Sequence, residues 1–345
     1  MQITILTYSP EKGVEHFEAL KDLKECTSAK ISWVDLQSDD PDEIKAIASH
    51  FRLHELAVED CLTPGHFPKL EDFGSYLFMI FRAIKASPEV EQIWRSRLQA
   101  DPQVTEELLG DEDHEEVFTR KVAVFLSDKF IITFRRRDVP WLDAVTRQVR
   151  QYPERTIAQG TDVVGHRVLD VLFDRFARGV GFFENLIDEM ELQAIADQDQ
   201  FDVRQVMSLK KDLASLRQLM REQRGVVARL GSDADFIHEK QRRYYRDIDD
   251  HALSIIKTID KEIDGLLGLR DTYFAMANVR LGDTMRILAV ITTLAAPLNI
   301  VVGLYGMNFE AIPLLHSPHG FWLVCVTMIV LVGLMLAFFR RKQWL

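Results

Sequence analysis

The residues best suited to bind a ligand are Gly306, Met307 and Asn308, with Tyr305 directly before them and Glu310 just beyond. Asn308 offers a neutral side-chain oxygen, and Gly306 lets the backbone approach a ligand closely because it has no Cβ. Glu310 adds one negative charge. Neutral side-chain and backbone oxygens with one carboxylate close by could contact a polar ligand or a hydrated cation.

Two apolar segments flank this site, at residues 287–305 and 321–339, and neither contains an Asp, Glu, Lys, Arg or His. As a helix each would be roughly 28 Å long, close to the ~30 Å hydrocarbon core of a bilayer. The alternative is two buried helices of a soluble core, but such helices usually carry polar positions at helical spacing. We predict a transmembrane hairpin at 287–345 with a short outer loop at 306–320.

Basic residues set the expected orientation of this hairpin. Arg280 and Arg286 precede the first segment, residues 340–342 follow the second, and the loop between them has no Lys or Arg. Positive charge favours the cytoplasmic side, which predicts that both chain ends are cytoplasmic. The N-terminus has no basic region followed by an apolar core, so we expect no cleaved signal. These features predict a multi-pass protein of the cell inner (plasma) membrane.

Composition excludes several classes of function. The chain of 345 residues has 42 Lys and Arg against 53 Asp and Glu, a net charge of −11. This balance argues against a nucleic-acid partner and suits a surface that meets cations, although ordinary solubility explains it equally well. The three cysteines are scattered without metal-ligand spacing. Because phosphate-binding loops, nucleophile elbows and zinc-protease patterns are also missing, we expect neither an enzyme nor a cofactor.

Residues 1–160 predict an α/β cytoplasmic domain. Segments rich in β-branched and aromatic residues predict strands at 2–8, 31–37, 75–84, 121–126 and 130–134, and helices are predicted at 41–51 and 141–151. The acidic run at 111–116 contains a histidine and could hold a hard cation. A solvated loop is the favoured interpretation, because like charges packed this closely repel one another.

From residue 161 the apolar spacing becomes helical and predicts a cytoplasmic stalk at 161–286. A helix over 236–304 would be roughly 100 Å long, which makes the first membrane segment a continuation of the stalk. Its sustained apolar seam suits packing within one chain and also permits self-association.

The C-terminal part of the sequence resembles a known family. Tyr-Gly-Met-Asn-Phe at 305–309, a fifteen-residue loop, and a second segment followed by Arg-Arg-Lys-Gln-Trp-Leu at 340–345 closely resemble the CorA family of divalent-cation channels. The resemblance extends to 33–36, 54–60 and 68–71, and it is weaker at about 88–117. It implies an α+β membrane protein assembled as a homopentameric funnel, in which the first membrane helices line the pore.

The resemblance implies that Gly306, Met307 and Asn308 bind hydrated Mg²⁺ at the pore mouth, with Tyr305 and Glu310 at the entrance. The first membrane segment itself has only weakly polar groups, at Thr292, Thr293 and Asn299. Asn299 occupies the place where the family commonly has a pore-facing threonine, and it keeps a polar ring there with a different side chain. Ala296 stands where a bulkier methionine is frequent.

Two further roles follow from the resemblance. Met285 and Leu288 match the hydrophobic constriction that gates the family's pore, with helix packing as the alternative. Asp247 matches an aspartate that binds intracellular Mg²⁺ between neighbouring subunits. Its expected partner falls near Ser87, where only Glu89 and Glu91 are acidic. Alternatively, the three aspartates at 247, 249 and 250 form a solvated helix face.

We therefore expect a Mg²⁺ channel that also passes Co²⁺ or Ni²⁺ and whose partners are itself, divalent cations and the lipid bilayer, with no nucleic acid. The alternative is a Zn²⁺, Co²⁺ or Ni²⁺ transporter of the same superfamily, possibly proton-coupled. The zinc-transporting relatives usually depart from Gly-Met-Asn, which this chain keeps. A membrane-anchored sensor without transport would explain the cytoplasmic domain but not the pore motif.

Overall fold

The computed structural model describes residues 2–63, 65–84, 119–196, 201–232, 234–308, 312–314 and 317–344. The chain divides into two units, Met1–Gly268 and Leu269–Leu345. The first unit contains a mixed β-sheet with helices on both faces, and the second contains two apolar helices.

Seven strands form the sheet of the first unit: β1 (Gln2–Ser9), β2 (Gly13–Phe17), β3 (Ile31–Gln37), β4 (Lys69–Asp72), β5 (Leu77–Ile84), β6 (Thr119–Leu126) and β7 (Phe130–Arg135). Their order is β2-β1-β3-β7-β6-β5-β4. β3 and β7 are parallel, and the other neighbouring strands are antiparallel. The five predicted strands are confirmed to within two residues. The edge strands β2 and β4 were not predicted, because both are short and β2 is only half-buried along its length.

The central strands are buried on both faces, since helices cover the sheet from each side. Every residue of β5 and β6 is buried. One face carries the short helix α1 (Lys24–Ser28) with α2 (Pro41–Phe51) and α3 (Glu55–Leu62), whose apolar residues join Ile132 and Phe134 of β7 in one core. The other face carries α4 (Pro140–Gln151), α5 (Thr161–Ala196) and α6 (Val203–Ser232). There Gly165 of α5 lies against the side chain of Ile131, the residue directly before Ile132 on β7.

Helix α2 forms where the sequence predicts it. Asp40 is the N-cap, and its side chain accepts a hydrogen bond from the backbone N–H of Asp42 at 2.9 Å. Pro41 occupies the first turn, where its missing N–H costs nothing. The helix ends at Phe51, and its C-cap residue Arg52 has a left-handed φ of 55°. The start of the helix is thus set by a local signal that is readable from the sequence.

The longest helix, α7 (Glu239–Tyr305), has 67 residues and includes Pro297. It confirms the long helix predicted at 236–304 and the continuity of the stalk with the first membrane segment. Within the first unit its apolar stripe is buried, and its polar residues bond to α5 and α6. Arg224 of α6 pairs with Asp249 at 2.8 Å, and Arg217 pairs with Asp260 at 2.7 Å. The buried hydroxyl of Tyr245 donates to the carbonyl oxygen of Asp162 on α5 at 2.9 Å.

The second unit contains the C-terminal part of α7 and the helix α8 (Gly320–Arg341). Both helices are long and apolar enough to cross a membrane. In their most apolar windows only 6% and 0% of the residues are buried within the chain. Helices of a soluble core would be mostly buried, so this exposure argues against the alternative of a soluble core and leaves two candidate membrane helices.

Candidate functional site

The predicted entrance residues lie where α7 ends. The backbone N–H of Gly306 still donates to the carbonyl oxygen of Val302 at 2.9 Å, and that of Met307 donates to Leu304 at 3.3 Å. Asn308 follows outside the helix, and its side chain is exposed. An amide side chain at this position is free of helical hydrogen bonding and is available to an approaching ion. Glu310 lies outside the described residues.

The outer loop is attached to both helices of the second unit. The hydroxyl of Tyr305 donates to the carbonyl oxygen of Pro313 at 3.2 Å. On the opposite side, the backbone of Leu314 lies directly against Gly320, where a Cβ would overlap the Leu314 carbonyl oxygen. Leu314 itself has a φ of 68°. Tyr305 was expected at the entrance, whereas the close contact of Leu314 with Gly320 was not predicted, although a glycine at the start of α8 was the available signal.

Met285, Leu288 and Asn299 lie on one side of α7. At about 100° per residue, Leu288 is about 60° and Asn299 about 40° from Met285 in the same sense around the helix. Met285 and Leu288 are 59% and 58% exposed, and Asn299 is also exposed. Packing within one chain therefore does not account for either apolar residue.

Basic residues end α8, as the orientation argument requires. Arg340 and Arg341 are exposed in its last turn. The Lys342 ammonium lies 5.5 Å from the ring centroid of Phe338, and Trp344 stacks on Phe339 with 5.8 Å between ring centroids. The charged heads thus remain at the helix end while the rings pack against the apolar helix, an arrangement that suits a membrane interface.

Asp247 lies on the exposed face of α7, next to an open pocket lined by Glu239, Lys240, Arg243 and Tyr244. The alternative of a solvated aspartate face is wrong for Asp249, whose carboxylate is held by Arg224, whereas Asp247 and Asp250 are exposed. Among the residues that the structure describes, no group of three or more His, Cys, Asp or Glu is placed to hold a metal. The structure does not describe the positions expected to pair with Asp247, which lie near residue 87 and include the acidic residues 89 and 91. The acidic run 111–116 also lies outside the described residues.

One histidine is packed close to this face. The His166 ring of α5 lies 5.5 Å from the ring of Tyr244 and 5.7 Å from that of Tyr245, in edge-to-face geometry. Burial lowers the pKa of His166, with the neighbouring Arg167 acting in the same direction and Asp170 and Asp247 opposing it. The interface between α5 and α7 thus favours a neutral imidazole.

A buried polar network joins β3, β7 and α4, and sequence reasoning did not find it. Arg135 donates to Asp35 at 3.0 Å, to Asp143 at 2.6 Å and to the carbonyl oxygen of Val139 at 2.8 Å. Thr133 also donates to Asp35, at 2.6 Å. Because these donors satisfy the carboxylate, Asp35 stabilises the parallel strand pair and is not placed to bind a metal. The sequence signal that could have predicted this network was an acidic residue, Asp35, inside the otherwise largely apolar strand β3.

Comparison with known proteins gives a consistent result. The sequence profile of the family described as CorA-like Mg²⁺ transporter protein matches residues 28–98 and 106–341. The chain is 25% identical over 305 residues to the cobalt/magnesium transport protein CorA of Thermotoga maritima, covering 88% of this chain and 80% of that protein. It is also 25% identical over 225 residues to the zinc transport protein ZntB of Pectobacterium carotovorum, covering 65% and 68% of the two chains.

The fold agrees with these sequence matches. The complete structure of the CorA magnesium transporter from Methanocaldococcus jannaschii superposes with a TM-score of 0.79 at 17% identity, covering 100% of this chain and 99% of that one. The shared architecture is a soluble α/β domain, a long helix and two C-terminal candidate membrane helices. Since the family match covers most of the sequence, the chain belongs to the CorA family of membrane transporters for divalent cations, which is not a family of enzymes.

Proposed function

We propose that the chain forms a homopentameric channel that passes hydrated Mg²⁺, and also Co²⁺ or Ni²⁺, across the inner membrane, with both chain ends in the cytoplasm. The observation that carries this proposal is the exposed Asn308 directly beyond the end of α7, in a Gly-Met-Asn sequence between two apolar helices. Neutral oxygens suit an ion that keeps its inner water shell.

The proposal requires self-association, because one helical hairpin cannot enclose a pore. The side of α7 that carries Met285 and Leu288 has no partner within the described chain. In the proposed pentamer, five copies of this side line the pore. Asn308, with Gly306 and Met307, forms the entrance next to Tyr305 and Glu310. Asn299, Leu288 and Met285 follow towards the cytoplasm.

Ion movement needs no cofactor in this proposal. The residues of α7 within 287–305 contain no carboxylate, so nothing in this stretch binds a divalent cation tightly enough to hold it. A membrane potential that is negative inside contributes about 2.3 kcal/mol per charge per 100 mV to inward movement. Cytoplasmic Mg²⁺ bound at Asp247 between subunits then favours the closed state.

The second candidate is a Zn²⁺ transporter, possibly proton-coupled, and the similarity to ZntB of Pectobacterium carotovorum favours it. We prefer Mg²⁺ because the chain keeps Gly-Met-Asn. The two candidates differ in the ion that moves and in the effect of a proton gradient, and both differences are measurable in the same vesicles.

The test is flux into liposomes containing the purified full-length protein and a Mg²⁺ or Zn²⁺ indicator. We expect Mg²⁺ entry that grows with an inside-negative potential, is reduced by competing Co²⁺, and does not need a pH gradient. Asn308→Ala and Gly306→Ala should abolish this entry, because each disrupts the entrance ring, while native mass spectrometry still detects pentamers. Zn²⁺ entry driven by a pH gradient, without Mg²⁺ entry, would support the second candidate. Normal uptake by both variants would contradict the role of the entrance.

A further inference from the structure

Two adjacent threonines in the apolar part of α7 have the same local bonding. The hydroxyl of Thr292 donates to the carbonyl oxygen of Leu288 at 2.8 Å, and that of Thr293 donates to Ala289 at 2.7 Å. Both side chains are exposed. Because each proton is used within the helix, each hydroxyl oxygen presents only lone pairs to its surroundings and acts as an acceptor.

The two threonines differ in the direction that they face. Met285, Thr292, Asn299 and Gly306 recur every seven residues, and each such step turns by only about 20° around a straight helix. Thr292 therefore lies between Met285 and Asn299 on the same side of α7. Thr293 is about 100° further around the helix. One threonine shares the side of the proposed pore residues, and the other does not.

We propose that Thr292 forms a second polar ring of the pore, between the Asn299 ring and the Leu288 constriction, and that it accepts hydrogen bonds from the water shell of a divalent cation. This inference rests on the proposed channel function. It adds a specificity-determining residue to a stretch that otherwise contains only apolar side chains on this side, since the intervening Ala295 and Ala296 are small and exposed.

The chemistry of the hydrated ion explains why an acceptor belongs here. The water oxygens of a hydrated cation face the metal, so their protons point outwards and need acceptors. The side-chain oxygen of Asn299 and the hydroxyl oxygen of Thr292 both provide these. The two rings are separated by about 10.5 Å along the helix axis. A hydrated ion that leaves the Asn299 ring thus meets the Thr292 ring next. Neither ring has a carboxylate, which would bind the ion too tightly.

Thr292 also lies one helical turn from Leu288, to whose carbonyl it is bonded. A constriction that closes by dewetting works over a short apolar length, and a longer apolar length stays dry more easily. A polar ring next to Leu288 limits that length. Removing the hydroxyl should therefore lower the flux through the open channel.

The experiment compares Thr292→Val, Thr292→Ser and Thr293→Val in the liposome flux assay. The Val variants keep the side-chain shape and remove the acceptor. We expect Thr292→Val to lower maximal Mg²⁺ flux about fivefold, the scale of one lost hydrogen bond. Thr293→Val should match the wild type, and Thr292→Ser should restore most of the flux. Competition by Co²⁺ should weaken in Thr292→Val alone.

The outcomes separate this inference from the proposed function. Absence of Mg²⁺ flux in the wild type would overturn the channel function, and this inference with it. Normal wild-type flux together with equal flux in Thr292→Val and Thr293→Val would overturn the pore position of Thr292 and leave the channel function intact.

A second measurement does not depend on how well the Val variant folds. Thr292→Cys and Thr293→Cys are made in a Cys325→Ser background and treated with a water-soluble methanethiosulfonate reagent during flux. The native Cys26 and Cys61 are buried, and burial raises the pKa of their thiols to about 11 and about 12, so they remain unreactive. We expect the reagent to block flux through the Thr292→Cys channel only. Equal modification of both variants, or of neither, would refute the inference.

Discussion

At the scale of single residues, the proposed pathway relies on weak ligands. Asn308 and Asn299 both offer an amide oxygen, and Met285 and Leu288 offer none. Amide oxygens accept hydrogen bonds from coordinated water without adding charge inside the membrane. The described residues of the proposed pathway would therefore bind a divalent cation weakly and let it pass, as the proposed channel requires.

Leu288 is the residue whose replacement should affect the closed channel most. Leu288→Gly removes the apolar ring, so water enters the constriction and basal Mg²⁺ flux rises at high internal Mg²⁺. Ile291→Gly is a matched control, because Ile291 is 57% exposed against 58% for Leu288 but lies about 120° around the helix from Met285, against about 60° for Leu288. Both changes weaken the helix by a similar amount, about 1 kcal/mol. Equal basal flux in the two variants would remove Leu288 from the gate.

Gly320 is expected to be intolerant of a side chain. In Gly320→Ala the new Cβ would overlap the backbone carbonyl oxygen of Leu314, which cannot move aside without displacing the loop. We expect a loss of about 1–3 kcal/mol in stability, the usual cost of overpacking. Thermal unfolding in detergent measures it. Gly333→Ala on the same helix is the control, since its Cβ meets nothing within 4 Å. Equal unfolding temperatures would show that the outer loop gives way easily.

At the scale of the elements, helix α7 has two distinct surroundings. Within the first unit its apolar side packs in a core that includes Tyr245 and Ile248. In the second unit most of its residues are exposed, including Met285 and Leu288. The same helical period therefore serves two purposes, packing within the chain and, in our proposal, lining a pore between chains.

The interface between α5 and α7 should be sensitive to acid through His166. Burial lowers the pKa of this imidazole below its ordinary value of 6.5, so the folded state binds fewer protons than the unfolded state. Its contribution to stability is present above the unfolded pKa and is lost as the pH falls through the folded pKa.

His166→Phe should therefore reduce the loss of stability on acidification. The aromatic ring keeps its packing against Tyr244 and Tyr245 but no longer titrates. The measurement is the unfolding temperature of both proteins from about pH 8 to about pH 5, where histidine changes its charge. Parallel pH profiles for the two proteins would assign the acid sensitivity to other groups.

At the scale of the whole molecule, helix α7 runs through both units of the chain. Asp247 belongs to the first unit and Asn308 to the second, and both depend on α7 for their position. In the proposed pentamer, a cation bound at Asp247 would favour the arrangement of subunits that brings carboxylates together, and it could shift the proposed pore only by the difference in its affinity for the two arrangements.

Asp247→Ala should weaken inhibition by cytoplasmic Mg²⁺ without removing conduction. The neutral side chain no longer binds the regulatory ion, so the Mg²⁺ dose curve moves to higher concentration and Mg²⁺ protects less against proteolysis. Asp250→Ala is the control, because Asp250 is equally exposed three residues away on the same helix. Asp249 is unsuitable, since Arg224 already holds it. Identical dose curves for Asp247→Ala and the wild type would contradict the regulatory site.

Much of the architecture could be predicted from the sequence, because its causes are local. The Asp40 cap and Pro41 fixed the start of α2, and apolar runs without charge marked the membrane segments. The helical period from residue 236 predicted α7 to within three residues. The entrance role of the Gly-Met-Asn sequence at 306–308 came from its resemblance to the family, and it stays a prediction.

Other features were decided by the tertiary structure, because they join residues far apart in the chain. Arg135 and Asp35 are separated by 100 residues, and only the parallel pairing of β3 with β7 brings them together. The pairing of Asp249 with Arg224 requires α6 to pack beside α7. The close approach of the Leu314 backbone to Gly320 requires the loop to return to the start of α8. A sequence window reports local spacing and propensity, whereas these contacts depend on how the chain folds back on itself.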